Sequence, residues 1–242
     1  AYKTIQKYKV VLNKLVVFQI HKKRQYKLLD LKEQFFIDLI IYLRDKHNLY
    51  DNTLNRYISV IKTFLRWCIK KGYSPPMDFT EVRIKKHETD DVALTREEVE
   101  LIANAELSGA KDRARDLFLI GVYSGQRWSD YSVFDKADVR NGLLYKRAKF
   151  NVHIQQICKA LEINDKIKFT HSKGNHKKEE IKEKWEKIGS HTARRTYITL
   201  ASEGNIPDHI IMEITGIKDS NTLKKYKKVN NKAITELTKD LF

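Results

Sequence analysis

Three prolines, two cysteines and nine glycines are all that these 242 residues contain of the usual chain breakers and crosslinkers. Cys68 and Cys158 are too few for a disulfide framework. Without a Cys-x-x-Cys pair or a His-rich neighbourhood they also make a poor zinc site, so no metal is expected. Long apolar runs are missing as well. The most apolar stretch, Phe35 to Leu43, is interrupted by Asp38 and falls far short of the ~20 residues a membrane helix needs. No signal-peptide pattern opens the chain, so a reduced, cytoplasmic protein without a membrane partner is expected. Acidic residues are the other shortage: 31 Asp and Glu face 47 Lys and Arg, for a net charge of +16. With 41% hydrophobic and 10% aromatic residues the chain is too apolar for a disordered basic tail, and its length allows one large domain or two modest ones. The positive field should concentrate polyanions, whether DNA, RNA or anionic lipid. It is uneven, with 19 basic and nine acidic residues up to position 90.

What is present is mostly helical periodicity. Leu31, Phe35, Phe36, Leu39, Ile40 and Leu43 predict an amphipathic helix over 31–48. Leu54, Tyr57, Ile58, Ile61, Leu65 and Cys68 predict a second over 53–71, with Asp51 and Thr53 offering N-caps. On its other face Lys62, Arg66 and Lys70 repeat every four residues, which suits a solvated face or a phosphate-contacting one equally well. Gly72, Pro75 and Pro76 end this helix, and the polar run from Glu81 to Asp91 reads as a linker. Thr95 and Glu98 form a capping box opening a helix through Ala105. Further helices are expected over 110–123, 149–161, 192–203, 207–214 and 231–239. Asn141-Gly142 followed by Leu143, Leu144 and Tyr145 reads as a turn into a short strand. The Lys-rich stretch 166–187 is the least structured-looking part of the second half.

Three segments could carry chemistry: Ser124-Gly125-Gln126-Arg127-Trp128-Ser129-Asp130, His191-Thr192-Ala193-Arg194-Arg195-Thr196, and Tyr226 among Lys224, Lys225, Lys227 and Lys228. Each has an ordinary explanation alone. Arg127 could cap carbonyls after a Gly turn or pair with Asp130; Ser190 to Arg195 could be a capped helix start; Tyr226 could cover the edge of the core. Together they are more specific. Two arginines can grip a phosphate through paired donors and neutralise the charge of a pentacoordinate phosphorane. A histidine beside them can move a proton, and a phenol among cations is a usable nucleophile.

In order and wording these segments resemble the tyrosine recombinases, or phage integrases, and are most similar to those of conjugative and mobilisable elements in Bacteroides-type bacteria. The resemblance rests on SGQRWSD, on SHTARRTYITLA and on TGIKDSNTLKKY ending in Tyr226, and it spans essentially the whole chain. Asn52 to Ile58 and Phe64 to Trp67 look like the family's core-binding domain. The resemblance implies a mainly α fold with a small β-sheet, arranged as a two-domain C-shaped DNA clamp. Residues 1–85 would form a helical SAM-like core-binding domain and residues 86–242 the catalytic domain. It implies that Arg127 and Arg194 hold the scissile phosphate and that His191 assists proton transfer. Tyr226 would attack, leaving a 3′-phosphotyrosyl link and a free 5′-hydroxyl, with neither ATP nor metal. Its partners would be double-stranded DNA recombination sites bound by a homotetramer in the bacterial cytoplasm at the nucleoid, with room for a DNA-bending accessory protein. Arg56, Lys62 and Arg66, from one helix face, are the expected DNA contacts.

Two departures stand out. Ile217, in Gly216-Ile217-Lys218, occupies the place where the family carries a second His or a Trp, and an Ile cannot donate to a phosphate; Lys218 could substitute in part. The family's β-hairpin with a catalytic Lys is also missing after Tyr145. Either the protein lost this hairpin, or a mobile loop is missing here and the numbering closes over it; the second account is favoured, because a hairpin cannot shed one strand without exposing an edge. Lys146 and Lys149 are the nearest replacements. The tail, with Ala233, Ile234, Leu237 and Leu241, suits docking on a neighbouring protomer or on its own domain. Ala1 is not an initiator Met, which leaves room for an upstream arm-binding domain. Competing readings are a catalytically degenerate DNA-binding accessory factor, a type IB topoisomerase, and an RNA-binding or membrane-surface protein.

Overall fold

The computed structural model describes residues 2–87, 91–133, 146–174 and 176–227. They are mainly helical, with one two-stranded sheet among the described residues. No helix among them is long and apolar enough to cross a membrane. The chain divides into two compact units, Ala1–Thr89 with Thr170–Glu180, and Asp90–Phe169 with Ile181–Phe242.

The first unit is built on α1 (Tyr2–Lys22), α2 (Glu33–Lys46) and α3 (Asp51–Lys70). The apolar repeat sets which faces meet: Phe36, Leu39 and Leu43 of α2 and Leu54, Ile58 and Leu65 of α3 are buried around Phe18 of α1. Phe18 lies against Tyr26, Phe35 and Tyr42, with ring centroids 5.2 to 5.8 Å apart. Each such side chain contributes about 1.5–3 kcal/mol by leaving water. Helix α1 itself has just Val11 and Phe18 buried.

Two expectations change here. Helix α3 begins at Asp51 with Tyr50 at its N-cap, so neither Asp51 nor Thr53 caps it. The Asp51 carboxylate, 3% exposed, instead accepts from Ser172 Oγ (2.8 Å), the Gly174 N–H (3.0 Å) and Arg44 Nη2 (3.1 Å). Those partners also explain why the Lys-rich stretch is ordered: it forms a hairpin, β1 (Lys166–Lys173) and β2 (His176–Glu183), with Gly174 in the left-handed region at its turn. Tyr50 stacks on His171, and Lys173 Nζ donates to Asn48 Oδ1 at 2.8 Å.

The polar run after Phe79 does not hang free. Lys62 Nζ donates to the Val82 carbonyl (2.5 Å), Asn55 Nδ2 to that of Ile84 (2.5 Å), and Asn52 exchanges two hydrogen bonds with the His87 backbone. Polar side chains of α3 thus lay this segment along the helix as far as His87.

The second unit centres on α5 (Gly109–Ser124), packed against α7 (Arg147–Ala160) and α8 (Ser190–Glu203). The α5–α8 crossing is close because position 121 is Gly: a Cβ there would lie 2.8 Å from the Tyr131 ring and 3.0 Å from Ala193 Cβ. Helix α4 (Arg96–Ala103) opens on the expected capping box, Glu98 N–H to Thr95 Oγ1 and Thr95 N–H to Glu98 Oε2. Glu98 also takes both hydrogen bonds of the buried Lys184 ammonium at 2.6 Å. Short helices α6 (Trp128–Tyr131), α9 (Asp208–Thr215) and α10 (Ser220–Lys227) complete the unit. The helix at 96–103 and those over 109–124, 147–160, 190–203 and 208–215 match the periodicity within a few residues. The strand expected at 142–145 and the tail helix at 231–239 lie outside the described residues.

Candidate active site

The turn after α5 is set by Gly125, which sits at φ 62°, takes the left-handed conformation and closes the helix with its N–H on the Gly121 carbonyl. A Cβ there would run into the ring of Tyr197. The Gly125 carbonyl, freed by the end of the helix, accepts from Arg194 Nη1 at 2.9 Å. The carbonyl cap is therefore Arg194, while Arg127, two residues past the Gly, stays exposed at the N-cap of α6. Gln126 between them donates to the Ile214 carbonyl at 2.7 Å and ties this turn to the end of α9.

Helix α9 ends in a Schellman arrangement: Ile217 N–H to the Met212 carbonyl (3.0 Å), Gly216 N–H to that of Glu213 (3.2 Å), with Gly216 at φ 64°. This motif wants an apolar residue just after the glycine. Ile217 supplies it, 4% exposed and packed with Ile198, Ala201, Ile211 and Leu223. Asp219 then caps α10, accepting from the Asn221 and Thr222 N–H groups and from Thr222 Oγ1. Those hydrogen bonds, from Thr222 first, hold its carboxyl below the ordinary aspartate value. At the far end of α10, Lys227 pairs with Asp208.

These elements bring Arg127, Arg194, Lys218 and Tyr226 around one cleft of about 380 Å³, with Gly216, Ile217, Asp219 and Thr222. Tyr226 Oη and His191 Nε2 are 3.1 Å apart. Arg194 is 2% exposed; its Nε–H is buried without a partner among the described residues, a cost seldom carried without a functional reason. Burial pulls its guanidinium below the ordinary arginine value, and Tyr226 pulls the other way. His191 is held below the ordinary histidine value, first by desolvation among the helices and then by the charges of Arg195, Arg194 and Arg147, with Asp91 opposing. A shift in that direction favours the neutral imidazole, whose unprotonated nitrogen can accept a proton.

Lys146 and Lys149 lie exposed at the start of α7, outside the residues that line the cleft. Arg147 of the same turn reaches the site's margin, donating from Nε to Ser190 Oγ at 2.8 Å. In the first unit, Arg56 and Arg66 are exposed on α3, with Arg66 also 5.4 Å from the Phe79 ring centroid. Lys62 is committed to the Val82 carbonyl and lies 5.7 Å from the Phe79 ring; burial pulls its ammonium below the usual lysine value. Sequence reasoning passed over Arg195, whose guanidinium bonds Asp91 and covers the Tyr226 ring. Its spacing of four from His191 was the available signal.

Residues 1–86 match the family model described as phage integrase SAM-like domain. No curated protein sequence is significantly similar to the chain. Among solved structures, the chain is similar to the XerH site-specific recombinase in a post-cleavage complex with a palindromic difH substrate, with TM-score 0.67, 15% identity, and 97% of this chain and 79% of that chain covered. The pre-cleavage XerH–difH complex gives TM-score 0.62 and 17% identity over 92% and 76% of the two chains. A lambda integrase (75–356) dimer bound to a COC′ core site gives 0.57 and 14% over 96% and 90%. The chain thus has the fold shared by these tyrosine recombinases.

Proposed function

We propose that the protein is a site-specific DNA strand transferase of the tyrosine recombinase type. The observation that carries this reading is the Tyr226 hydroxyl 3.1 Å from His191 Nε2, in a unit where Arg194 and Arg127 share the same cleft. The Tyr226 oxygen attacks the scissile phosphorus as its proton passes to His191 Nε2. Arg127 and Arg194 hold the non-bridging oxygens, and the bond to the 5′ oxygen breaks. The product is a 3′-phosphotyrosyl link, reversed when the 5′-hydroxyl of a partner strand attacks. Lys218, on the cleft beside Ile217, supplies the cation and the proton that the leaving 5′ oxygen needs.

On this reading residues 1–85 are the core-binding domain and residues 86–242 the catalytic domain of a C-shaped clamp. Arg56 and Arg66 contact phosphates from α3, and Lys62 adds its charge while anchoring the segment behind them. Four copies assemble on two duplexes in the bacterial nucleoid, with or without a DNA-bending protein. The biological setting is integration or excision of a mobile element of the Bacteroides type.

The test is covalent trapping from a pool of nicked duplexes randomised around the nick. Protein-linked DNA should form without metal, enrich one sequence, and vanish with Tyr226→Phe. The accessory-factor reading draws on one feature, an Ile217 side chain turned into the apolar cluster where a hydrogen-bonding ring would serve catalysis. Sequence-selective binding by the folded protein with no adduct at any pH would establish that alternative and sink catalysis.

A further inference from the structure

Helix α8 meets Tyr226 at two points one turn apart. His191 faces the hydroxyl, and Arg195, four residues on and so on the same ridge, places its guanidinium carbon 4.9 Å from the ring centroid. Arg195 is 7% exposed and is held from behind by Asp91, Nη2 to Oδ2 at 2.6 Å. The Asp91 segment is itself fixed to α8, because the Leu94 N–H donates to Thr196 Oγ1 at 3.0 Å and Val92 and Leu94 are buried. A guanidinium over an aromatic face is attractive, and it is geometrically strict when its other edge is tied to a carboxylate.

We propose that Arg195, anchored by Asp91, is a positioning residue for Tyr226: it fixes the plane of the ring so that the hydroxyl stays on His191. This rests on the recombinase reading for its consequence, and on the free protein's geometry for its substance. Arg195 does not grip the phosphate; it sets where the nucleophile waits. Loss of the guanidinium should free the ring while leaving DNA affinity unchanged.

Two measurements on Arg195→Met, Arg195→Lys and Asp91→Asn test this, with thermal unfolding confirming that each variant is folded. The first needs no DNA. Nitration by tetranitromethane, read residue by residue by mass spectrometry and normalised to the phenolate fraction from a pH series, should speed up at Tyr226 by about threefold or more in Arg195→Met, as expected for a lost cation–π contact. Tyr123, 66% exposed, serves as the unchanged internal control. The second uses the duplex enriched from the randomised pool. Single-turnover adduct formation at saturating DNA should fall by about tenfold in Arg195→Met, with Kd unaltered and partial recovery in Arg195→Lys. The acid limb of that rate should also move up toward the ordinary histidine value in Arg195→Met, since the Arg195 charge helps hold His191 down alongside Arg194 and Arg147 and against Asp91. Unchanged Tyr226 nitration in folded Arg195→Met would overturn the proposal, as would a parallel loss of affinity and rate. Absence of any adduct with the parent protein would remove the recombinase reading instead, and the nitration result would still decide whether Arg195 positions the ring.

Discussion

Beyond Asp51 at its start, helix α3 of the first unit buries only apolar residues, Leu54, Ile58, Val60, Ile61, Leu65 and Cys68, whereas α8 of the second unit buries nine of its 14 residues, six of them polar or charged. In α3 the polar side chains are spare enough to lay a backbone segment along the helix, and Arg56 and Arg66 still face solvent. In α8 the polar groups replace core. Ser190, Thr192 and Thr196 bond neighbouring backbone or Arg147, Arg194 bonds the Gly125 carbonyl, and Arg195 pairs with Asp91. Burying two guanidiniums stabilises a fold less than aliphatic packing would. The two helices should therefore fail differently when altered.

The largest effect separates Arg127 and Arg194, the two arginines proposed to hold the phosphate. Arg127→Ala and Arg194→Ala should each lower adduct formation by about 10²–10³, the usual cost of removing one transition-state charge donor. Their stabilities should diverge. Arg127 is exposed, so its loss should change unfolding free energy by under about 0.5 kcal/mol. Arg194→Ala strands the Gly125 carbonyl and leaves a cavity, costing about 3 kcal/mol in denaturant unfolding. Equal stabilities would mean that Arg194 does not tie α8 to the turn after α5.

Gly125→Ala tests the same junction from the other side. The left-handed backbone and the Tyr197 ring both oppose a Cβ, so the cost should be about 2–4 kcal/mol, with adduct formation reduced because the carbonyl that holds Arg194 moves. Wild-type thermal stability in this variant would show that the ring yields freely.

Much of this was written in the sequence, but not evenly. Helices α2 and α3 follow from apolar spacing because each has one wet and one dry face, and Thr95 with Glu98 is a local device that needs no distant partner. Helix α1 was not legible, since apolar residues such as Ile5, Leu12 and Val16 lie exposed around it and blur the period. The hairpin was hidden by its lysines: Ile167 and Phe169 alternate correctly, but β2 offers charge at almost every position. Arg127, His191, Arg194 and Tyr226 were found as a constellation of residue types. The cap by Arg194, the role of Ile217 in ending α9, and the Asp91–Arg195–Tyr226 chain depend on contacts between segments far apart in sequence, which spacing does not report.

In the first unit Asp51 is the counterpart of Arg194, a buried charge satisfied by several partners. Burial works to raise its carboxyl, but the Gly174 N–H, the Ser172 hydroxyl and Arg44 outweigh that and leave it below the ordinary aspartate value. A carboxyl lower in the folded than in the unfolded chain stabilises fully above the unfolded value, near 4, and loses that contribution as pH falls through the folded one. Asp51→Asn should therefore cost about 2 kcal/mol at pH 7 and progressively less below pH 4, where the parent loses the same interaction. A constant difference from pH 7 to pH 3 in urea midpoints would show that the charge at Asp51 is unimportant.

The smallest effects belong to the outer face of α3. Arg56→Ala and Arg66→Ala should each weaken DNA binding a few-fold at moderate salt and reduce the slope of log K against log salt by about 1, one phosphate contact apiece. Lys62→Met should differ in kind: because its ammonium already bonds the Val82 carbonyl, the change should cost about 1 kcal/mol of stability and move the slope by less than either arginine does. Fluorescence anisotropy across a salt series, paired with urea unfolding, resolves both. If Lys62→Met lowers the slope as far as Arg66→Ala does, Lys62 leaves its carbonyl to meet the phosphate, and α3 then binds DNA through Arg56, Lys62 and Arg66 together.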